Sequence, residues 1–233
     1  MKPMRVCLIA LILLSLLTGC DRNDPRLAGM QRLESASENP ASIDELIAVI
    51  DEYAGVVNEK IQAGIQQAQY LKYLAHEYTR HEMYSLALEA LEEAILLEPQ
   101  NQVLHQLAGA SAAYVAKAQG RVVLRDEYYA MAERYYLRAV ELSPDYMEAH
   151  YALAVLYLFE LEEPENALPH IERVLELSPN HISALFVHAN TEISLGNLDA
   201  AIESYDTIMR IADDREDRER AARNRALILG GGE

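Results

Sequence analysis

The stretch AQYLKYLAHEYTRHEMYSLALEALEEAILLEP (residues 68–99) decides the fold of this chain. Two amphipathic helical segments follow one another in it, and Ala75 and Ala87 occupy the positions where two antiparallel helices would touch. Antiparallel helices approach to about 8–10 Å only when such contact positions are small. The stretch therefore predicts a helical hairpin that ends at Pro99, because proline cannot continue a helix.

The same helical pattern returns about every 34 residues, and it ends three times in an acidic or small residue followed by proline. The three endings are Leu97-Glu98-Pro99, Leu142-Ser143-Pro144 and Leu177-Ser178-Pro179. A period of this size is typical of repeat proteins built from stacked helical hairpins. Such stacks present surfaces that hold other molecules and bring no chemistry of their own, so the sequence favours binding over catalysis.

These repeats resemble the tetratricopeptide repeat, whose pattern is W-x₂-L-G-x₂-Y, then A-x₃-F, then P. The second repeat carries 11 extra residues between its halves, and the fourth has Asp213 where the family has proline. On this alignment, Pro169 falls in the first turn of its helix. The resemblance covers residues 68–213 and implies an all-α, right-handed solenoid of about four antiparallel hairpins. The arrangement is also similar to that of spirochaete repeat lipoproteins.

Helices outside the repeats are predicted at both ends of the solenoid. Residues 42–67 begin with a capping box, Ser42 to Glu45, and form an amphipathic helix that we expect to cover the first repeat. Residues 214–233 form a C-terminal capping helix and tail, which a solenoid end requires. The side chains expected to pack from that second helix are Ala222, Ala226 and Leu229.

The start of the chain has the features of a bacterial lipoprotein signal. Residues 1–19 combine two positive charges with an apolar run that is too short for a comfortable permanent membrane span. Leu17-Thr18-Gly19-Cys20 then resembles the lipobox, and the resemblance implies a mature chain that begins at a lipidated Cys20. Residues 20–41 are polar and are interpreted as a tether. We therefore expect a membrane-anchored protein that faces the periplasm, with inner or outer membrane left open.

Composition argues against several other functions. Removing residues 1–19 takes away Lys2 and Arg5 and no acidic residue, so the net charge changes from −17 to −19. Such acidity argues against nucleic-acid binding, which needs clustered Lys and Arg. His76 and His81 are five residues apart, so they do not form the HExxH zinc motif, which needs two histidines four apart. The sequence predicts no catalytic residues, no metal and no cofactor.

The candidate binding surface is the concave groove that the family lines with the first helix of each hairpin. In the first repeat, the resemblance implies Gln69, Lys72, His76, Thr79 and Arg80. The carboxylate clamp of the chaperone-binding members is absent, because the fifth and ninth positions of the second repeat are Gln106 and Ala110. The residues predicted to bind a partner are Tyr151, Val155, Leu158, Phe159, Phe186, Asn190 and Ile193.

Two interpretations of that apolar groove are left open. A partner helix or extended peptide docks there, or the protein's own C-terminal helix or a neighbouring subunit covers it, since a large open apolar patch would be a liability. The function expected is a non-enzymatic scaffold that binds proteins of a bacterial cell-envelope complex, with self-association left open. The alternative is a transporter-associated component that binds a hydrophobic small molecule or a periplasmic solute-binding protein.

Overall fold

A computed structural model describes residues 42–230, and this part of the chain consists of helices joined by short turns, without strands. The chain divides into two compact units, Met1–Ala63 and Gly64–Glu233. The predictions for the signal, Cys20, the tether and the last three residues lie outside the described range. The helices are α1 (Ile43–Arg80), α2 (Tyr84–Leu97), α3 (Gln102–Ala118), α4 (Val122–Leu142), α5 (Met147–Phe159), α6 (Pro164–Leu177), α7 (Ile182–Leu195), α8 (Leu198–Ile211) and α9 (Arg215–Gly230).

Helix α1 joins two segments that the sequence analysis separated at residues 67 and 68. It runs for 38 residues without a break, because its only helix-weakening residues are Gly55 and Gly64, which cost about 1 kcal/mol each and do not end a helix. In the second unit, Ala68 and Ala75 of α1 are buried. That residues 42–67 cap the first repeat stays a prediction. None of the helices among residues 42–230 is both long enough and apolar enough to cross a membrane.

Small residues lie where the helices of each hairpin meet, as predicted. Ala154 and Ala167 of the third hairpin, and Ala189 and Ala201 of the fourth, are completely buried. The second hairpin uses Gly109, because the ring of Tyr136 occupies the space that a side chain would need there. Its 11 extra residues lengthen α3 and α4 to 17 and 21 residues and form no long loop. The insertion therefore leaves the stack of hairpins intact.

Histidines connect successive hairpins at the prolines. The Nε2 atom of His105 donates to the carbonyl oxygen of Pro99 at 3.0 Å, and that of His150 donates to the carbonyl of Pro144 at 2.9 Å. A carbonyl only accepts, so both histidines carry a proton on Nε2. The prediction for Pro169 was wrong: α6 begins at Pro164, and Pro169 lies in the body of that helix. The first-turn position is therefore filled by the earlier proline.

The second unit contains two hydrophobic clusters. The larger one includes the first three hairpins and one side of α7, and its members Leu91, Leu153 and Ile171 are almost completely buried. The smaller one joins the other side of α7 to α8 and α9. Its buried members are Leu185, Phe186, Ala189, Ala201, Tyr205, Ile208, Ala212 and Ala221. Helix α9 therefore closes the fourth hairpin.

The face that α9 uses for this contact differs from the predicted face. Ala221 is completely buried and Ile228 packs against the smaller cluster, whereas Leu229 is 57% exposed and Ala222 and Ala226 are exposed as well. Arg220 and Arg225 supply further contacts of α9 with the fourth hairpin, through the ring of Phe186 and the carboxylate of Asp206. The sequence pattern missed these contacts because it counted only apolar side chains.

Candidate binding groove

The first helices of the first three hairpins enclose two neighbouring cavities. The N-terminal cavity has a volume of about 460 Å³ and lies among the C-terminal half of α1, α2 and α3. The central cavity has a volume of about 390 Å³ and lies mainly between α3 and α5. Ala110 and Tyr114 of α3 line both cavities. The two cavities therefore adjoin each other at α3, and together they are called the groove, whose lining comes from three repeats.

The N-terminal cavity has mostly apolar walls and a polar edge supplied by α1. Thr79 is already engaged, since its hydroxyl donates to the carbonyl of Ala75 at 2.9 Å. The side chain of His76 is 72% exposed, and the ammonium of Lys72 lies 6.0 Å from the ring centre of Tyr73. The lining residues are Lys72, Tyr73, Ala75, His76, Thr79, Leu91, Val103, Leu107, Ala110, Ser111 and Tyr114.

The central cavity has an aromatic and aliphatic wall. The ring of Tyr114 stacks on Tyr84, with centroids 4.6 Å apart, and the ring of Tyr151 stacks on His181 at 5.6 Å. These contacts hold two aromatic rings of the wall in fixed positions. The lining residues are Gln106, Ala110, Ala113, Tyr114, Lys117, Tyr136, Met147, Glu148, Tyr151, Ala152, Val155, Leu156, Glu160 and His181.

An ion pair lies at one edge of the central cavity. The ammonium of Lys117 is 2.7 Å from Glu160, and the hydroxyl of Tyr129 donates to the same carboxylate at 2.5 Å. Burial by itself would raise the pKa of Glu160, but the hydrogen bonds from Lys117 and Tyr129 outweigh it and hold that pKa below its usual range. Burial and the carboxylate raise the pKa of Tyr129 to about 12. At neutral pH this edge therefore carries an ionised, mutually satisfied pair.

The structure separates the seven predicted partner-binding residues. Tyr151 and Val155 line the central cavity, while Leu158 is buried in the larger hydrophobic cluster. Phe159 is 52% exposed and lines neither of the two cavities. Of the four residues predicted from the third repeat, the groove therefore contains two, Tyr151 and Val155.

The predicted residues of the fourth repeat lie away from the groove. The guanidinium of Arg220 in α9 stands 3.7 Å from the ring centre of Phe186, which is 8% exposed. The amide oxygen of Asn190 accepts from the hydroxyl of Tyr205 at 3.4 Å, and Ile193 is partly exposed outside both cavities. For Phe186, the structure favours the alternative in which the C-terminal helix covers the residue.

Helix α3 provides the groove residues that the sequence analysis missed. Val103, Ala113 and Tyr114 occupy the second, twelfth and thirteenth positions of the second repeat, and all three line the cavities. The same concave positions had been used for the other repeats, so the signal was present in the sequence. Across residues 42–230, no group of three His, Cys, Asp or Glu side chains is placed to hold a metal ion.

Comparison with known proteins agrees with this architecture. The tetratricopeptide repeat family model matches residues 117–182 and 155–216. A TPR repeat-containing protein of Borreliella burgdorferi is 22% identical over 161 residues, which cover 68% of this chain and 69% of that protein.

Two solved structures share the fold. A thermophilic TPR protein of Thermus thermophilus has a TM-score of 0.59 and 18% identity, over 84% of this chain and 94% of that one. YrrB, described as a TPR protein with an unusual peptide-binding site, has a TM-score of 0.53 and 20% identity, over 82% and 97% of the two chains. The stacked hairpins, the small contact residues and these matches support a protein of the tetratricopeptide repeat family.

Proposed function

We propose that this protein is a membrane-anchored, non-enzymatic scaffold whose groove binds a segment of another cell-envelope protein. The observation that carries the proposal is that the two cavities adjoin each other, with walls from α1, α3 and α5 and with Ala110 and Tyr114 shared between them. A surface of this kind suits a long, thin partner, which contacts several repeats at once.

The dimensions and chemistry of the groove match an extended peptide. Three first helices that pack about 10 Å apart span roughly 20 Å, which corresponds to about six residues of extended chain. Aromatic and aliphatic walls would bury apolar side chains of this peptide, and Gln106 and Glu148 at the central cavity offer hydrogen-bonding groups to its backbone. The peptide-binding site of YrrB supports this use of the fold.

The lipid anchor of the proposal rests on Leu17-Thr18-Gly19-Cys20. Two or more acyl chains hold a protein stably on a membrane, whereas one chain of myristoyl length binds only marginally. A chain anchored through Cys20 would carry its groove into the periplasm and meet envelope proteins there. Mass spectrometry of the mature N-terminus tests this step. A diacylated Cys20 supports it, and a mature chain with an unmodified N-terminus contradicts it.

The groove itself is tested by site-specific photo-crosslinking in cells. A photoreactive amino acid at Tyr151 captures the partner, and a second substitution then blocks the groove. Ala110→Arg places a long side chain at the junction of both cavities, and arginine keeps nearly the helix propensity of alanine. Ala222→Arg is the matched control, because Ala222 is exposed on α9.

The expected result is one main crosslinked protein whose yield falls at least tenfold with Ala110→Arg and stays unchanged with Ala222→Arg. Yields that stay unchanged in both variants would show that the captured protein does not occupy the groove. A tenfold loss in both variants would mean that general folding, and not the groove, was affected, and far-UV circular dichroism distinguishes this outcome.

A further inference from the structure

Residues 43–61 of α1 carry an apolar stripe that is exposed along its whole length. Ile43, Ile50 and Ile61 are 77%, 65% and 54% exposed, and Ile47 and Val57 are about half exposed as well. Isoleucine and valine are among the residues most often buried. These residues belong to the first unit, Met1–Ala63. A row of exposed aliphatic side chains of this length is typical of an interaction surface.

The spacing of the stripe is that of a coiled coil. Apolar or small residues follow one another in strict alternation of four and three positions, which is the heptad pattern of a and d sites. Leu46 and Tyr53, at two g sites, widen this apolar face on one side, so the coiled-coil assignment rests on the regular spacing of the a and d sites. The residues of this seam are Ile43, Ile47, Ile50, Ala54, Val57 and Ile61.

The residue types in the seam indicate how many helices associate. The a sites are Ile47, Ala54 and Ile61, and the d sites Ile43, Ile50 and Val57 are all β-branched. Two-stranded coiled coils favour leucine at d, and isoleucine at both a and d shifts the preference to three or four strands. The seam is therefore suited to a bundle of more than two helices.

Charges beside the seam indicate a parallel arrangement of identical helices. Asp51 occupies an e site, and in an antiparallel pair the e sites of the two helices face each other. Two copies of Asp51 would then repel. In a parallel bundle, e sites face g sites, so Asp51 lies opposite Leu46 and Asn58 lies opposite Tyr53 of the next copy. No pair of like charges meets in that arrangement.

The outer face of the segment argues against a membrane surface as the occupant. Helices that lie on membranes carry Lys and Arg on their polar face, which attracts anionic lipids. Here the polar face carries Glu52 and Glu59, with Lys60 as the only cation between residues 43 and 61. A second copy of the same helix is the partner that matches the seam.

We propose that three or four copies of this chain associate through a parallel coiled coil formed by residues 43–61 of α1. The association orients all copies of this segment in one direction. The parallel orientation agrees with a shared lipid anchor and does not require it. The site is separate from the groove of the second unit.

Sedimentation of the full-length chain in density-matched, non-ionic detergent tests the proposal. The wild type is expected to sediment with the mass of three or four chains, and Ile50→Asp with the mass of one at the same concentration. The matched control is Ala48→Asp, which introduces the same charge at an exposed position outside the seam. Wild-type protein that stays monomeric up to about 100 μM, or an assembled Ile50→Asp variant, would overturn the proposal.

Disulfide crosslinking provides an independent readout if Ile50→Asp loses helical structure. In an in-register parallel bundle, Ala54→Cys faces its own copy, so oxidation is expected to give a crosslinked dimer. Glu52→Cys, on the outer face, is expected to stay uncrosslinked, and equal crosslinking at both sites would contradict the seam. Capture of a partner through Tyr151 is measured separately, so failure of the coiled coil and failure of the groove are distinguishable.

Discussion

Gly109 lets α3 and α4 approach closely, and it gives a prediction about packing. A Cβ atom at this position would lie 2.6 Å from two ring carbons of Tyr136 and 3.1 Å from the carbonyl oxygen of Ala132. Tyr136 is 5% exposed and has little room to move. Overpacking costs about 1–3 kcal/mol, and removing a helical glycine returns about 0.5–1 kcal/mol. We expect Gly109→Ala to lower the free energy of unfolding by about 1–2 kcal/mol.

Urea unfolding measures this effect, and the same substitution in open space provides the control. Gly55 lies inside α1 with nothing within 4 Å of a Cβ atom. Gly55→Ala is therefore expected to leave stability unchanged or raise it by about 0.5–1 kcal/mol. Stabilisation by both substitutions would show that the contact with Tyr136 is relaxed in solution.

His170 forms a directional hydrogen bond with His150 and gives a prediction about pH. His150 carries its proton on Nε2, which donates to Pro144, so its Nδ1 atom accepts from Nδ1 of His170 at 3.0 Å. Tyr157 stacks on the His170 ring, with centroids 5.8 Å apart. Burial, followed by the proximity of His150, lowers the pKa of His170 to about 4. The folded protein therefore resists protonation of this ring.

The sign of the pH effect follows from that lowered pKa. The unfolded chain takes up a proton near pH 6.5, and the folded chain does so only near pH 4. The contribution of His170 to stability is complete above pH 6.5 and is lost as the pH falls to about 4. We expect His170→Phe to bind about one proton fewer on unfolding in this range. Urea unfolding between pH 7.5 and pH 4 measures the slope, and identical slopes would contradict the prediction.

At the residue scale, the sequence predicts contacts that a repeat pattern contains and misses those that depend on tertiary neighbours. Alanines at the helix contacts were identified because the family places small residues there. The bonds of His105 and His150 to proline carbonyls were missed, because the acceptor is a backbone atom that no pattern of side chains records. His150 and His170 are 20 residues apart in sequence and lie on the two helices of one hairpin, so their contact forms only when the hairpin is packed.

Helix α9 shows how a terminal element is attached, and Arg220 is the residue that tests it. Its guanidinium covers the Phe186 ring at 3.7 Å, and cation–π contacts contribute about 0.5–2 kcal/mol. We expect Arg220→Ala to destabilise the protein by about 1 kcal/mol and to increase the exposure of Phe186. Urea unfolding measures the first effect, and binding of a hydrophobic dye measures the second.

Arg223 provides the matched control for Arg220. It lies on the same helix, its side chain is 65% exposed, and its contact with Glu219 is 4.0 Å long. Exposed ion pairs of this kind contribute little. Arg223→Ala is therefore expected to change stability by less than about 0.5 kcal/mol. Equal losses in both variants would mean that charge, and not the contact with Phe186, determines the attachment.

Element boundaries were predictable where proline or glycine ends a helix and unpredictable elsewhere. Helices α2, α4 and α6 end at the leucine that begins each of the three proline motifs, two residues before the proline. No proline or turn motif lies near residue 67, so the predicted N-terminal helix and the first helix of the first repeat form one continuous helix. The packed face of α9 was misassigned because Ala221 and Ile228 dock, whereas the neighbouring face was selected. Arginine side chains supply further contacts, and a search for apolar residues does not select them.

At the scale of the whole molecule, the family resemblance predicts the concave surface but not the part of it that stays open. Most of the concave positions of the first three repeats line the groove, and Gln69, Arg80, Leu158 and Phe159 do not. The fourth repeat also has apolar residues at two of these positions, Phe186 and Ile193, yet α9 covers Phe186. Which repeats remain accessible is decided by the docking of a helix outside the repeat pattern. That docking is a property of the assembled chain and not of any one repeat.

The division of the core into two clusters predicts unequal local stability. In repeat proteins, each hairpin contacts mainly its neighbours, so separate parts can open independently. Ile208 is completely buried in the smaller cluster, and Leu153 is completely buried in the larger one. Replacing either residue by alanine costs about 2–5 kcal/mol. The location of the loss, and not its size, should distinguish the two variants.

Hydrogen exchange of backbone amides in the native state measures that location. We expect Ile208→Ala to lower protection in α8 and α9 while α3 and α5 keep theirs, because the smaller cluster is the one that loses its packing. Leu153→Ala is the comparison, and it is expected to lower protection throughout α3, α5 and α6. If Ile208→Ala lowers protection equally in all of these helices, the solenoid unfolds as one cooperative unit. The groove would then lose its structure together with the C-terminal helix.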